Sequence, residues 1–445
     1  MKLWDKGIQV DKKIEQFTVG MDRELDLQLA AFDILGSLAH IEMLESIGLL
    51  EKKELKMIQE ELRKIYSSIK NETFVIEDDI EDVHSQIEYL LTQELGDVGK
   101  KIHSGRSRND QVLLDLKLFT RNKLEEIVRE ARSLFDLLQE KSQNYKDVLM
   151  PGYTHLQVAM PSSFGLWFGA YAESITDDLM VLQAAYKVVN QNPLGSGAGY
   201  GSSFPLDRQM TTDLLGFDNL SYNVVYAQMG RGKMEFTVLS ALANLASTLG
   251  KLAMDACLYN GQNFNFLSFP DHLTTGSSIM PHKKNPDVFE MIRAHANALQ
   301  MLPAQIQAVT SNLPSGYHRD YQLTKEFFMP AFDKLIACIE MTREMLQEVK
   351  INKDIVSDEK YKYLFTVEEV NRLVLEGIPF RDAYKEVAKT VEKGEFQYKG
   401  DADYVHEGSI GNLCNDKINQ KMLKIFSDFN FHKTKEAYMN LLDRI

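Results

Sequence analysis

The sequence predicts an all-α fold, with a long central helix bundle flanked by two smaller helical domains. Three observations carry that expectation. Glycine and proline are unevenly spread. Neither occurs between Gly105 and Pro151, only Gly165 and Gly169 fall between Pro161 and Pro193, no proline lies from Leu206 to Asn260, and Pro330 is the sole breaker from Tyr317 to Glu376. Tracts of this length read as helices well beyond the usual size, and a helix of about forty residues would be ~60 Å long. Apolar residues also recur at helical spacing, as in Leu35, Leu38, Ile41, Leu44 and Ile47, and again in Phe289, Ile292, Ala296 and Leu299. Finally, a chain of 445 residues with 44% apolar content has a globular composition and is too long for one simple core.

Taken in order, residues 1–105 read as an N-terminal domain of shorter helices, with one apolar face ending at Gly48. Residues 106–355 hold the long tracts and form the bundle. Residues 356–445 carry more charge, break at Gly377 and Pro379, and include a polar stretch from Gly394 to Gly411, so they read as a small third domain. No internal repeat or low-complexity segment stands out. The net charge of −14 argues against a nucleic-acid partner, because phosphate binding needs clustered Lys and Arg. No apolar run reads as long enough to span a bilayer, and MKLWDKGIQV has no signal-peptide core. Cys257, Cys338 and Cys414 are odd in number and far apart, which fits a reducing, cytoplasmic setting.

Several polar clusters interrupt this pattern. The run Glu77 to Asp82 before His84 reads as an acid-rich helix start. In HSGRSRNDQV, Gly105 gives a turn, and Ser107, Arg108 and Asn109 open the first long tract. Arg108 offers a planar fork for a carboxylate and its neighbours offer neutral donors, although the spacing alone is that of a capped helix. Prolines bracket Met150 to Pro161, so Thr154 and His155 sit on an ordered loop outside the helices. The glycine-rich run Asn192 to Arg208 fails as a nucleotide loop. Tyr200 breaks the G-x-G-x-x-G pattern, no G-K-[ST] follows and no strand is expected before it, which leaves a flexible turn. Tyr317, Gln322 and Lys325 fall where a long helix opens. There is no H-E-x-x-H and no His/Cys cluster, so neither a metal nor another cofactor is expected.

The most informative stretch is Thr274 to Asp287, TTGSSIMPHKKNPD. Asn285 suits a helix N-cap, Pro286 the first helical position, and Asp287 complements the positive helix end. A glycine-started loop thus feeds a helix N-terminus with Lys283 and Lys284 just before it. Such a loop would hold a carboxylate, and hold it better as charge builds during a reaction.

GSSIMPHKKNP closely resembles the signature loop of the fumarase/aspartase superfamily of lyases, and the KKNPD ending looks most like the argininosuccinate lyase family. GRSRNDQV, GYTHLQVA and GIPFRDAYKEV resemble the same family, so the likeness runs over nearly the whole chain. The resemblance implies reversible elimination of argininosuccinate to arginine and fumarate, in a cytoplasmic homotetramer whose sites draw on three chains. It implies Ser277 as base and His155, paired with Glu290, as acid, though the reverse assignment stays open. Lys283 and Asn285 would stabilise the developing dianion. Ser107, Arg108, Asn109, Thr154, Tyr317, Gln322 and Lys325 would hold substrate, with His84 at the site edge. One departure is His282, where this family usually has Gln and adenylosuccinate lyases often have His. Adenylosuccinate cleavage, or a non-catalytic crystallin-like role, are the alternatives.

Overall fold

The computed structural model describes residues 11–398, 400 and 404–443. The first ten residues, where the signal-peptide reading was made, lie outside them. Two short helices, Lys12–Val19 and Asp22–Asp26, precede α1 (Ala30–Ser46), α2 (Lys52–Lys70) and α3 (Val83–Leu95). The bundle is built from α4 (Arg108–Asn144), α5 (Phe164–Val189), α6 (Lys233–Asn260), α7 (Asp287–Leu299), α8 (Leu302–Thr310) and α9 (Asp320–Gln347). At 37 residues, α4 spans about 55 Å.

Side-chain contacts set the direction of each helix. The Ser142 hydroxyl donates to the Gly165 carbonyl at 2.7 Å, and at the opposite end Lys117 Nζ donates to the Gln191 carbonyl at 2.7 Å, so α5 runs antiparallel to α4. Trp167 Nε1 donates to Asp255 at 3.1 Å, and Ser174 meets Thr248 at 2.9 Å, which turns α6 back again. Lys123 reaches Asp333 at 2.7 Å and Lys141 reaches the Gln347 carbonyl at 2.9 Å, so α9 runs parallel to α4.

Each long helix follows its apolar stripe. On α4, Leu124, Ile127, Val128, Ala131, Leu134, Phe135 and Leu138 are buried. They meet Phe328, Phe332, Leu335 and Ile339 of α9, and Phe119 stands edge-on to Phe332 with ring centroids 5.6 Å apart. Each of the larger side chains among these contributes ~1.5–3 kcal/mol by its burial. A second core joins α1, α2 and α3 to the start of α4.

The structure corrects several expectations. The tract from Leu206 to Asn260 is not one helix; it divides into Arg208–Leu214, Val224–Met229 and α6. Gly216 and Gly232 have φ of 65° and 76° at the breaks, a backbone that side chains disfavour. The ordered loop around His155 is an antiparallel hairpin, β1 (Leu149–Thr154) with β2 (Gln157–Ser163). Helix α7 begins at Asp287 with Pro286 at the cap position, so Asn285 does not cap it. Helix α6 is long and apolar enough to cross a membrane by length and composition. It lies in the bundle, with Leu242, Leu245, Leu249 and Leu252 buried in the core.

Past α9, α10 (Thr366–Leu375) and α11 (Phe380–Glu392) form a small core of their own with Phe396. The expected third domain does not run on from there to the C-terminus. Helix α12 (Asn415–Asp428) places Ile418, Met422 and Ile425 in the bundle core, and α13 (Phe431–Asp443) places Leu441 in the N-terminal core.

Candidate active site

A cavity of about 380 Å³ opens at the end of the bundle where α4 and α9 begin. Ser107 caps α4: its hydroxyl accepts from the Asn109 amide at 3.3 Å, and the Asp110 carboxylate accepts from the Ser107 amide at 2.7 Å. Asp110 also accepts from the amides of Gly195 and Gly197 at 3.0 and 2.9 Å. Burial pushes its carboxyl up to about 6, against the pull of those amide donors. The glycine-rich run is therefore an ordered platform and not a flexible turn, and a two-residue strand, Gln191–Asn192, does precede it. A Cβ at Gly195 would lie 2.8 Å from the Arg208 side chain.

Arg108 projects from the first turn of α4 into the cavity. It forms an ion pair with Asp82, and its Nη2 donates to Ser85 at 3.2 Å. Asp82 also caps α3, accepting from the Ser85 amide at 2.9 Å. Lys325 of α9 lies between Asp22 and Asp26, at 2.7 Å from each. Burial alone would lower the pKa of its ammonium, but the Asp26 and Asp22 carboxylates outweigh that and raise it. Gln322 donates to the carbonyls of Thr18 and Val19 at 2.9 and 3.0 Å, and Arg319 pairs with Glu81 at 2.9 Å. Tyr317 and Asn109 complete the wall, with Arg231 behind.

His84 needs correction, because it does not line the cavity. It is buried one layer back, with Nδ1 2.8 Å from Asp33 and 3.5 Å from Asp115. Burial would lower its pKa, but Asp33 and Asp115 more than offset this and raise it. The neighbouring Ser85 faces the cavity instead. Asp33, His84 and Asp115 place three potential metal-ligating atoms within 4.8 Å of one another. A search by sequence spacing misses them because they lie on α1, α3 and α4. The Arg106 guanidinium stands beside these acids and already supplies positive charge, so the group reads as an internal ion cluster.

Thr154 and His155 lie at the other end of the bundle, on the tip of the β1–β2 hairpin. Thr154 pairs with Gln157, and the two tip residues, His155 and Leu156, have φ of 53° and 57°. A two-residue turn of this kind normally takes Asn-Gly. Two side chains held there in the left-handed region cost ~1–2 kcal/mol each, the sort of strain found at functional sites.

Ser277, Lys283 and Asn285 share the loop before α7. A bridge closes its base, with the Asn285 amide donating to the Thr275 carbonyl at 2.8 Å. The Asn285 side chain donates to the Gly276 carbonyl at 3.3 Å, and Lys284 pairs with Asp271. The Ser277 hydroxyl oxygen accepts from the amides of Met280 and Ile279 at 3.1 and 3.4 Å. Lys283 is exposed, and Glu290 is exposed on the first turn of α7. His155 and Glu290 do not pair within the chain.

The loop follows a two-residue strand, Leu267–Ser268, which pairs with Lys350–Ile351 just past the end of α9. His272 lies 3.1 Å from Glu348 there. Ser277 and His155 therefore sit at the far end of the bundle from Arg108 and Lys325. The rise along α4 separates them by about 55 Å, and along α9 from Lys325 by about 33 Å.

Sequence reading missed Asp26, Asp82, Ser85, Arg231 and Arg319 in the cavity wall. Asp82, Ser85 and Arg319 stand inside segments it had singled out, whereas Asp26 and Arg231 gave no local signal.

The comparisons with known proteins agree with this architecture. A family described as Lyase matches residues 5–300. An argininosuccinate lyase of Parabacteroides distasonis is 63% identical over 441 residues, covering 99% of each chain. That of Bacteroides fragilis is 62% identical over 443 residues, covering 100% of this chain and 99% of its own. Among solved structures, an EDDS lyase variant with bound fumarate has a TM-score of 0.76 at 22% identity, covering 98% of this chain and 94% of that one. The likeness is full-length in both sequence and fold, and the chain belongs to this lyase family and, within it, to the argininosuccinate lyases.

Proposed function

We propose that the protein cleaves argininosuccinate to arginine and fumarate, in arginine biosynthesis and in the cytoplasm. The observation that carries this reading is the 62–63% identity to argininosuccinate lyases over essentially the full chain. In the proposed reaction a base removes the proton next to a carboxylate of the succinyl part, leaving a dianionic aci-carboxylate. The C–N bond then breaks, its electron pair goes to the guanidinium nitrogen, and an acid protonates that nitrogen.

Ser277 is our candidate base. A serine hydroxyl needs its alkoxide stabilised, and the two amides aimed at its oxygen, with Lys283 on the same loop, suit that task. Lys283 and Asn285 are assigned to the dianion, and His155 to the acid. Thr154 is assigned to substrate binding beside it. Ser107, Arg108, Asn109, Tyr317, Gln322 and Lys325 are assigned to the substrate's charged and polar groups in the cavity.

We further propose a homotetramer in which each site joins the cavity of one chain to the hairpin tip and the Ser277 loop of others. The distance between the two ends of the bundle supports this. So does the exposed apolar surface at the tip and on the bundle sides, where Leu156 is 76% exposed and Met291 and Met301 are 55% and 60% exposed. In such an assembly Glu290 of one chain could reach His155 of another. Purified protein given argininosuccinate should raise fumarate absorbance without added metal or nucleotide. Equal or better turnover of adenylosuccinate, the substrate His282 points to, would overturn the substrate assignment.

A further inference from the structure

We infer that Asp22 is a positioning residue that couples ligand binding to proton uptake: a ligand carboxylate that engages Lys325 binds together with one proton, taken from solvent onto the Asp22 carboxylate. This rests on the proposal that the cavity holds the substrate. The geometry begins with charge. Lys325 carries one positive charge and already faces two carboxylates, Asp22 and Asp26, each at 2.7 Å. A third carboxylate would leave two uncompensated negative charges around one ammonium in a site where water screens poorly.

The surroundings offer little other relief. Arg231, which also faces Asp22, lies 3.4 Å from Glu235. Across the cavity Arg108 is held by Asp82, and Arg319 by Glu81. Among the protein's own groups, a proton on one of the two acids is the remaining neutralising step. Asp26 is 2% exposed at its side chain and also has His84 and Arg108 near it. Asp22 is 15% exposed, lies on the cavity wall and can exchange a proton with solvent. Burial, with the Asp26 charge, pushes its carboxyl up to about 6, although Lys325 and Arg231 pull it down. The free protein would hold Asp22 mostly ionised near neutral pH, and a bound carboxylate would raise it further, so protons are taken up.

Titration calorimetry of the wild-type protein with L-arginine, in two buffers of different ionisation enthalpy, reads this directly. The expected uptake is about 0.5–1 proton per site at about pH 7, with binding weakening up to about tenfold per pH unit above about 6. Agmatine, which lacks the carboxylate, should bind without uptake. Asp22→Asn should bind arginine with no uptake and a flat pH dependence. Arginine bound by the wild type without proton exchange would overturn the inference, as would an unchanged uptake in Asp22→Asn. If that variant fails to fold, the contrast between arginine and agmatine on the wild type decides. Absence of arginine binding at any pH would instead overturn the reading of the cavity, and this inference with it.

Discussion

At the end of the bundle where α4 begins, each cavity cation is already answered. Lys325 lies between Asp22 and Asp26, Arg108 holds Asp82, Arg319 holds Glu81, and Arg231 lies near Glu235. At the other end His155 stands on a strained, exposed tip, and Lys283 and Glu290 are exposed to solvent. The first region has its charges paired within one chain. The second has groups suited to chemistry but little to act against. On the proposed assembly, binding and reaction are divided between the two ends of one chain, and a neighbouring chain reunites them. The same proposal accounts for a strained turn at the hairpin, since a tip that reaches into another chain's cavity is not buried in its own core.

Substitutions at the two ends should differ in kind. The largest expected effect is at the exposed end. Ser277→Ala should lose roughly 10²–10⁴-fold in turnover, the usual range for a proton-transfer group, while leaving stability and substrate binding near normal. Steady-state rates with thermal melting check both halves, and near-normal turnover would remove Ser277 from the mechanism. The cavity end should respond in the opposite manner. Lys325→Met leaves Asp22 and Asp26 buried without their counter-ion, and should cost about 3–5 kcal/mol of stability as well as raising KM. A variant as stable as wild type would mean the cavity is less enclosed than described.

Behind the cavity, His84 should make stability depend on pH. Asp33 and Asp115 raise its folded-state pKa above the ordinary 6.5. Its contribution is therefore complete below ~6.5 and lost as pH rises through the raised value. The melting-temperature gap between wild type and His84→Gln should accordingly narrow as pH rises above ~6.5, and a gap that stays constant or widens would count against the ion cluster. The smallest effect is expected at His282, an exposed loop residue. His282→Gln should change turnover only a few-fold, within ~1 kcal/mol. Loss of one limb of the pH–rate profile in that variant would make His282 a working acid or base.

The long helices were legible because their signal is local. Scarcity of breakers and a 3.6-residue apolar period mark α4, α5, α7 and α9 directly. Two non-helical features were harder. The hairpin around His155 carries its left-handed tip on His and Leu, with no Asn-Gly pair to announce a turn. The break before α6 rests on Gly216 and Gly232, and glycine also occurs inside helices of this chain, as at Gly165 and Gly250. For the candidate site, the motif residues were visible, but their grouping was not. Ser107, Arg108, Asn109, Tyr317, Gln322 and Lys325 converge only because α4 and α9 run parallel, a fact of packing. The placing of His84 depended on the partners Asp33 and Asp115, each many residues away.

Pairing one lesion from each end tests the proposed division of labour between chains. Arg108→Gln removes a cavity group and Ser277→Ala removes a loop group, and each variant alone should be nearly inactive. The two proteins, mixed, gently dissociated and reassembled, should form hybrids in which some sites join an intact cavity from one chain to an intact loop from another. Random 1:1 reassembly predicts activity at roughly a quarter of the sites. Recovery near that level is the result expected here; continued inactivity in a mixture shown to contain hybrid tetramers would mean that one chain supplies both ends of its own site.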